Sequence, residues 1–289
     1  MPNDPSLPSA PTVAVVTVSY NSGRFLGEFL ASVPAATAHP DVVLTVVADN
    51  ASADPDAARL TTERAGARFV EVGRNAGYGG AVNVAVDGLP PSVRYVLVSN
   101  PDVVLTPGAL DVLVATAEAD PRIGAVGPAI WEPTGESYPS ARSLPSLRTG
   151  LGHAVFADVW PGNPWTRRYH GPGPDQGDQT VGWLSGACLL VRRDAFDRLG
   201  GFDTSFFMYF EDVDLGWRLG RAGLRNVYQP RADVTHVGAH STRNESVAMR
   251  REHHRSAYRF LSRKYSAWWL WPLRLALRVG LSLRALVQR

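Results

Sequence analysis

Val13-Ala14-Val15-Val16-Thr17-Val18, broken at once by Ser19-Tyr20-Asn21-Ser22-Gly23, is the stretch on which the fold turns. Five of its first six residues are apolar and four are valines, so neither face is left for water. An unalternated, β-branched run of this length reads as a strand buried on both sides, the condition of a parallel sheet covered by helices. The Ser-Tyr-Asn-Ser-Gly break is turn chemistry, and Arg24 to Val33 behind it has the apolar spacing of a helix.

The unit then recurs. Val42 to Ala48 reads as a second strand stopped by Asp49-Asn50, followed by a helix from about Pro55 to Ala65 and a third strand at Ala67 to Val72. Asn75-Ala76-Gly77-Tyr78-Gly79-Gly80 leads into a helix through Val86, and Tyr95 to Ser99 is a fourth strand ending at Asn100-Pro101-Asp102. Strands and helices alternating at this spacing predict an α/β fold with a Rossmann-like, mostly parallel central sheet flanked by helices. From Pro128 to about Thr180 the regular signals fade into Pro, Gly and Trp. Trp183 to Val191 resumes as one strand, Arg193 to Leu199 and Asp212 to Ala222 as helices, and Val227 to His236 as a last strand. The expected organisation is a disordered 1–11, a Rossmann-like half at 12–127, a second half at 128–242, and a basic amphipathic helical tail at 243–289.

Length and composition suit that plan. The chain has 289 residues, 45% apolar and 19% charged, ordinary for a globular α/β protein. The single cysteine, Cys188, excludes an intrachain disulfide framework and a Cys-rich zinc site, and reads as a buried structural thiol. With no apolar signal segment near Met1, a cytoplasmic protein is expected. The net charge of +2 conceals a split: residues 243–289 carry +9 and the rest −7. In the tail, Trp268, Trp269 and Trp271 are interleaved with Leu and with Arg274, Arg278 and Arg284. That frequency of charge opposes a spanning helix and predicts an interfacial helix on a membrane surface. A helix packed on the body is the alternative. Nucleic acid fits less well because the tail is too apolar, and no oligomeric state is legible.

Ligands in open α/β sheets bind beyond the carboxyl ends of the strands. Three such ends carry polar residues: Ser19-Tyr20-Asn21, Asp49-Asn50 and Asn100-Pro101-Asp102. Each could be a turn or helix cap taken singly; three at successive strand ends favour a site. Tyr20 offers an aromatic face to a base, and Asp49 an acceptor for a base N–H or a ribose hydroxyl. The Asn75 loop, with Gly77 and Tyr78, brings bare backbone and a helix amino terminus toward a phosphate. Asp102 can bind a hard cation that shares its other positions with substrate phosphates. His236 becomes a metal ligand only if the fold brings it to Asp102. Glu211, Asp212 and Asp214 follow the aromatic run Phe206 to Phe210, and a carboxylate against an apolar wall is suited to general-base work. The same acids at a helix start also satisfy its dipole.

These motifs, in this order from Val13 to Thr242, resemble the inverting family 2 glycosyltransferases of GT-A fold. The resemblance is carried by Val-Thr-Val-Ser-Tyr-Asn, Ala-Asp-Asn-Ala-Ser, Asn-Ala-Gly-Tyr-Gly, Asn-Pro-Asp, Gly-Trp-Leu-Ser-Gly-Ala, Phe-Glu-Asp-Val-Asp-Leu and His-Val-Gly-Ala-His-Ser-Thr. Within the family, Tyr138-Pro139-Ser140-Ala141-Arg142, His153-Ala154-Val155 and Asn163-Pro164-Trp165-Thr166 are similar to the rhamnosyl-transferring branch that primes the actinobacterial arabinogalactan linker. That likeness implies dTDP-L-rhamnose as donor and the 3-OH of GlcNAc in GlcNAc-diphospho-decaprenol as acceptor, on the inner face of the plasma membrane. It implies donor contacts from Ser19, Tyr20, Asp49, Asn75, Gly77, Tyr78, Asn100 and Asp102. A Mg²⁺ or Mn²⁺ ion would sit on Asp102 and His236. Asp212 would be the catalytic base, with Glu211 orienting it or the acceptor. Trp183, Ser185, Gly186 and Arg142 would form the acceptor side. Asn100 stands where the family often has a carboxylate, which implies a metal bound chiefly with the nucleotide. A transferase for another polysaccharide, or a non-catalytic sugar-nucleotide or membrane binder, is the competing expectation.

Overall fold

A computed structural model describes residues 10–146, 177–238 and 247–287. The amino-terminal residues 1–9 and the His153 and Asn163 motifs fall outside the described residues. Elements in chain order begin with β1 (Val13–Ser19), α1 (Arg24–Ser32), β2 (Val43–Asp49), α2 (Pro55–Arg64), β3 (Arg68–Glu71), α3 (Tyr78–Asp87) and β4 (Tyr95–Ser99). Next come β5 (Val103–Leu105), α4 (Ala109–Ala119), β6 (Ile123–Trp131), β7 (Ser137–Tyr138) and β8 (Ala141–Arg142). The remainder is β9 (Gln179–Val181), β10 (Trp183–Leu184), β11 (Cys188–Arg192), α5 (Arg193–Arg198), α6 (Glu211–Arg221), β12 (Arg225–His236), α7 (Val247–Lys264) and α8 (Trp271–Val287).

The main sheet runs β3-β2-β1-β4-β11-β6-β12-β5. All seven residues of β1 are buried, as its unbroken apolar run required, and β1 pairs in parallel with β2 and β4. β11 then enters antiparallel to both β4 and β6, and β12 returns parallel to β6. Apolar clusters cover the two sheet faces, one built around α3 and α5, the other around α1 and α4. Each draws side chains from both ends of the sheet, so the two halves of the chain share one core.

Two expectations are corrected. Regular structure does not end at Pro128: β6 continues to Trp131, because Ala125, Val126, Ala129 and Ile130 fill both apolar clusters. Trp183 to Val191 is not one strand. It divides at Ser185-Gly186-Ala187 into β10, paired with β8, and β11, paired with β4. The interruption is where the chain bends around the functional site. The tail also divides. On α7, Ser256, Ala257 and Phe260 are buried against the body, whereas the described face of α8 is largely exposed.

Candidate active site

The parallel strands β1, β2 and β4 end side by side, with Ser19 opposite Asp49 and Thr17 opposite Ser99. At the first two ends, Ser19 and Asp49 are buried and Tyr20 is 52% exposed, its ring free to meet a flat ligand. Asp49 Oδ2 accepts the Ser52 N–H at 3.0 Å, while its buried Oδ1 has no partner within the protein. An orphaned buried acceptor is costly unless a ligand supplies the donor. Asn50, singled out only as part of a strand end, links this edge to the next loop. Its Nδ2 donates to Asn75 Oδ1 at 3.0 Å and its Oδ1 accepts the Ala76 N–H at 2.8 Å.

Asn75 Oδ1 also accepts the Gly77 N–H, so the loop side chains are spent on shaping backbone. Gly77 has φ 76°, and a Cβ there would run into the Phe207 carbonyl oxygen. Only glycine allows that approach. The same carbonyl accepts the Tyr78 N–H at 3.2 Å. Asn83, by contrast, is structural: it brackets the backbone of Phe202, its Nδ2 donating to the carbonyl at 2.8 Å and its Oδ1 accepting the N–H at 2.9 Å.

At the third strand end the fold unites Asp102 with His236. His236 Nε2 lies 3.0 Å from Asp102 Oδ1, although 134 residues separate them. The union follows from β5 pairing with β12, which sets His236 opposite Val103. Gly238 seals the approach, since a Cβ there would collide with the Asp102 carboxylate. Neighbouring ligands of an octahedral cation at about 2.1 Å stand about 3 Å apart. The Asp102–His236 pair fits that spacing. No third His, Cys, Asp or Glu joins them among the described residues, so a cation held there would take its remaining positions from phosphate oxygens and water. Tyr138 packs its ring edge-on to His236 at 5.8 Å and shares a hydrogen bond with Ser185. It thereby links His236 to Ser185, a bridge that its place in a loop motif concealed.

The bend between β10 and β11 completes the cleft. Asn100 N–H donates to the Ala187 carbonyl at 2.9 Å, which sets Gly186 beside the third strand end. Gly186 N–H donates to Asp212 Oδ2 at 2.9 Å, and its carbonyl accepts the Tyr78 hydroxyl at 2.7 Å. Asp212 Oδ1 accepts the Val213 N–H at 2.8 Å. Burial raises the Asp212 pKa, while these hydrogen bonds and the Arg142 charge pull it back. The result is an oriented carboxylate of raised basicity. Glu211, 7% exposed, has no partner for Oε2; burial, then the neighbouring Asp212 charge, push its pKa up to about 8. Burial keeps the Cys188 thiol protonated, with its pKa at about 12. Arg142 sits opposite Trp183 in the β8–β10 ladder, its guanidinium 5.9 Å from the Trp183 ring centre.

The three acids of the aromatic-acidic run therefore take three roles. Asp214, two residues beyond Asp212, points to the opposite side of α6. Its Oδ2 accepts from Arg218 at 2.6 Å, and Arg218 also donates to the carbonyls of Leu199 and Gly201. Asp214 holds α6 in place. The entry to α6 is strained: Tyr209 and Phe210 both have positive φ, at 66° and 70°. α7 braces it. Ser256 Oγ donates to the Met208 carbonyl at 3.0 Å, and Phe260 packs against Phe210 and Trp217.

Convergent strand ends, a glycine loop at a helix start, an Asp–His pair and a buried carboxylate together have the chemistry to take a nucleotide, a cation and a nucleophile. Sequence comparison decides the family: residues 14–200 match Glycosyl transferase family 2. The chain belongs to that family. Residues 174–259 also match the description Glycosyltransferase like family 2. It is 47% identical over 280 residues to an N-acetylglucosaminyl-diphospho-decaprenol L-rhamnosyltransferase of Mycobacterium tuberculosis, covering 94% of this chain and 91% of that protein. Among solved structures it resembles a mannosyltransferase from Pyrobaculum calidifontis in complex with GDP-Man and Mn²⁺. The TM-score is 0.61 at 19% identity, covering 96% of this chain and 71% of that one. GalNAc-T7 with UDP, GalNAc and Mn²⁺ aligns at TM-score 0.58 and 14% identity, covering 78% and 43%. The GT-A glycosyltransferase fold expected from the sequence is thus the observed one.

Proposed function

We propose that this glycosyltransferase moves L-rhamnose from dTDP-L-rhamnose to the 3-OH of GlcNAc in GlcNAc-diphospho-decaprenol, inverting the anomeric carbon. The observation that carries the substrate assignment is 47% identity spread over 94% of the chain to a protein named for that reaction. Tyr20 and the unpartnered Asp49 Oδ1 receive the nucleoside, and the Asn75–Tyr78 loop faces its diphosphate. Asp102 and His236 would hold a Mg²⁺ or Mn²⁺ ion together with the nucleotide, and that ion would supply positive charge beside the diphosphate. Asp212, steadied by the Gly186 N–H, takes the proton from the acceptor hydroxyl as that oxygen attacks in line. Glu211, its pKa pushed up to about 8 by burial and the neighbouring Asp212, keeps its proton near neutrality. Trp183, Ser185 and Arg142 line the acceptor side, where the guanidinium matches a diphosphate.

The acceptor lipid lies in a membrane and the donor in water. No helix among the described residues is long and apolar enough to cross a membrane. Peripheral association on the cytoplasmic face through α8 reconciles the two phases, with Trp268, Trp269 and Trp271 exposed at its start. The decisive assay is transfer from dTDP-L-rhamnose to a synthetic GlcNAc-diphosphoryl lipid, with Mg²⁺ or Mn²⁺ and then with EDTA. Rhamnosylated product that disappears with EDTA is expected. Turnover of UDP-sugars but not dTDP-L-rhamnose overturns the donor assignment, and EDTA-resistant product removes the cation from the reaction.

A further inference from the structure

Away from the strand-end site, an open groove of about 900 Å³ runs between α7 and α8. Six arginines line it: Arg251, Arg255, Arg259 and Arg263 from α7, Arg274 and Arg278 from α8. The first four recur every fourth residue, so they form one stripe along the helix. Like charges at that spacing repel and destabilise a helix. Between Val247 and Val287 the sequence has one acid, Glu252, 3.8 Å from Arg255. Arg263 is paired with Asp203, and Arg274 donates to the carbonyls of Tyr265 and Ala267. Arg251, Arg255 and Arg278 are exposed.

On α8 the cationic positions adjoin an apolar stripe. Trp271, Leu275 and Val279 recur every fourth residue and are all at least half exposed. Arg274 and Arg278 lie along its edge, turned toward α7. Trp268, 77% exposed, extends the apolar edge at the turn between the helices. A cationic groove bordered by an exposed aromatic and aliphatic stripe matches the interface of an anionic bilayer. There, phosphates meet guanidinium groups while Trp and Leu enter the acyl boundary.

We propose that the α7–α8 groove is the headgroup-binding surface of this enzyme, taking the phosphates of anionic phospholipids with Trp268, Trp271, Leu275 and Val279 facing the acyl layer. The proposal rests on the peripheral membrane association inferred above and assigns it to named residues. α7, one wall of the groove, also braces the entry to α6, the helix that carries Asp212.

The test uses the full chain and a triple variant, Arg251→Gln, Arg255→Gln and Arg278→Gln, none of which touches the catalytic cleft. Sedimentation with phosphatidylglycerol vesicles is compared with phosphatidylcholine vesicles. Folding is checked by circular dichroism and by transfer to a water-soluble GlcNAc-diphosphate acceptor, both expected to be unchanged. Removing three surface arginines is expected to weaken partitioning onto phosphatidylglycerol by roughly 100-fold, with weak phosphatidylcholine binding unaffected. A triple variant that sediments like the parent overturns the groove assignment while leaving membrane association intact. A parent chain that sediments with neither vesicle overturns membrane association itself. Displacement of bound protein by millimolar glycerol phosphate overturns the bilayer as occupant in favour of a soluble anion.

Discussion

The strand-end cleft and the α7–α8 tail are both charged, but they hold charge in opposite ways. In the cleft, Asp212 is fixed by two backbone N–H groups, Asp102 meets His236, and Glu211 is buried. On the tail, Arg251, Arg255 and Arg278 stand in water on a face with almost no acidic partners. The difference teaches where each kind of work is done. Moving a proton as a glycosidic bond forms needs a carboxylate of one orientation and raised basicity, which burial and fixed hydrogen bonds supply. Adhesion to a fluid surface needs exposed charge that can adapt, and rigid pairing would quench it.

Substitutions can break that contrast, and the largest effect belongs to the cleft. Asp212→Asn keeps the shape and removes the base, so kcat should fall by roughly 10² to 10⁴-fold. Calorimetry should record nearly unchanged dTDP affinity. Activity within about tenfold of the parent would take the base role away from Asp212.

Next is Glu211→Gln, read as stability against pH. The Glu211 pKa rises from 4.5 in the unfolded chain to about 8 in the fold. The folded state thus holds a proton that the unfolded state loses. Stability is full below about pH 4.5 and declines as pH rises toward about 8. Asp212 is shifted in the same direction and contributes the same sign. Urea denaturation at pH 5 and pH 8 should give a smaller decline for Glu211→Gln than for the parent. An identical decline would mean that Glu211 is ionised in the fold throughout.

The smallest effect sharpens the contrast from the tail side. Trp271 is 58% exposed, so Trp271→Ser should change unfolding free energy by no more than about 0.5 kcal/mol. A loss of several kcal/mol by denaturant titration would make Trp271 a packing residue and withdraw the exposed stripe.

Much of this was readable in one dimension. β1, β2 and β4 announced themselves as apolar runs because a strand buried on both faces leaves no polar alternation to confuse with a helix. The turn residues at their ends marked the cleft for the same reason, since a parallel sheet exposes its functional backbone there. The end of β6 is hidden because Pro128 and the Pro- and Gly-bearing stretch after it imitate a loop, while the apolar clusters on both faces hold the strand extended to Trp131. The β10–β11 break was hidden because Trp183 to Val191 is continuously apolar apart from Ser185-Gly186. Tyr138 and Asn50 escaped notice as functional residues because their value lies in bridging segments that sequence order keeps apart.

The sequence by itself determined the alternating α/β plan, the polar strand ends, the aromatic-acidic run and the basic, Trp-bearing tail, because each is a local pattern of side chains and local patterns set local structure. Only the tertiary structure decided that Asp102 and His236 meet, through the β5–β12 pairing. It also decided which of three neighbouring acids is which. Helical geometry turns Asp212 toward Gly186 and Asp214 toward Arg218, and burial protonates Glu211. Those outcomes depend on distances across the fold and on exclusion of water, quantities that order along the chain does not contain.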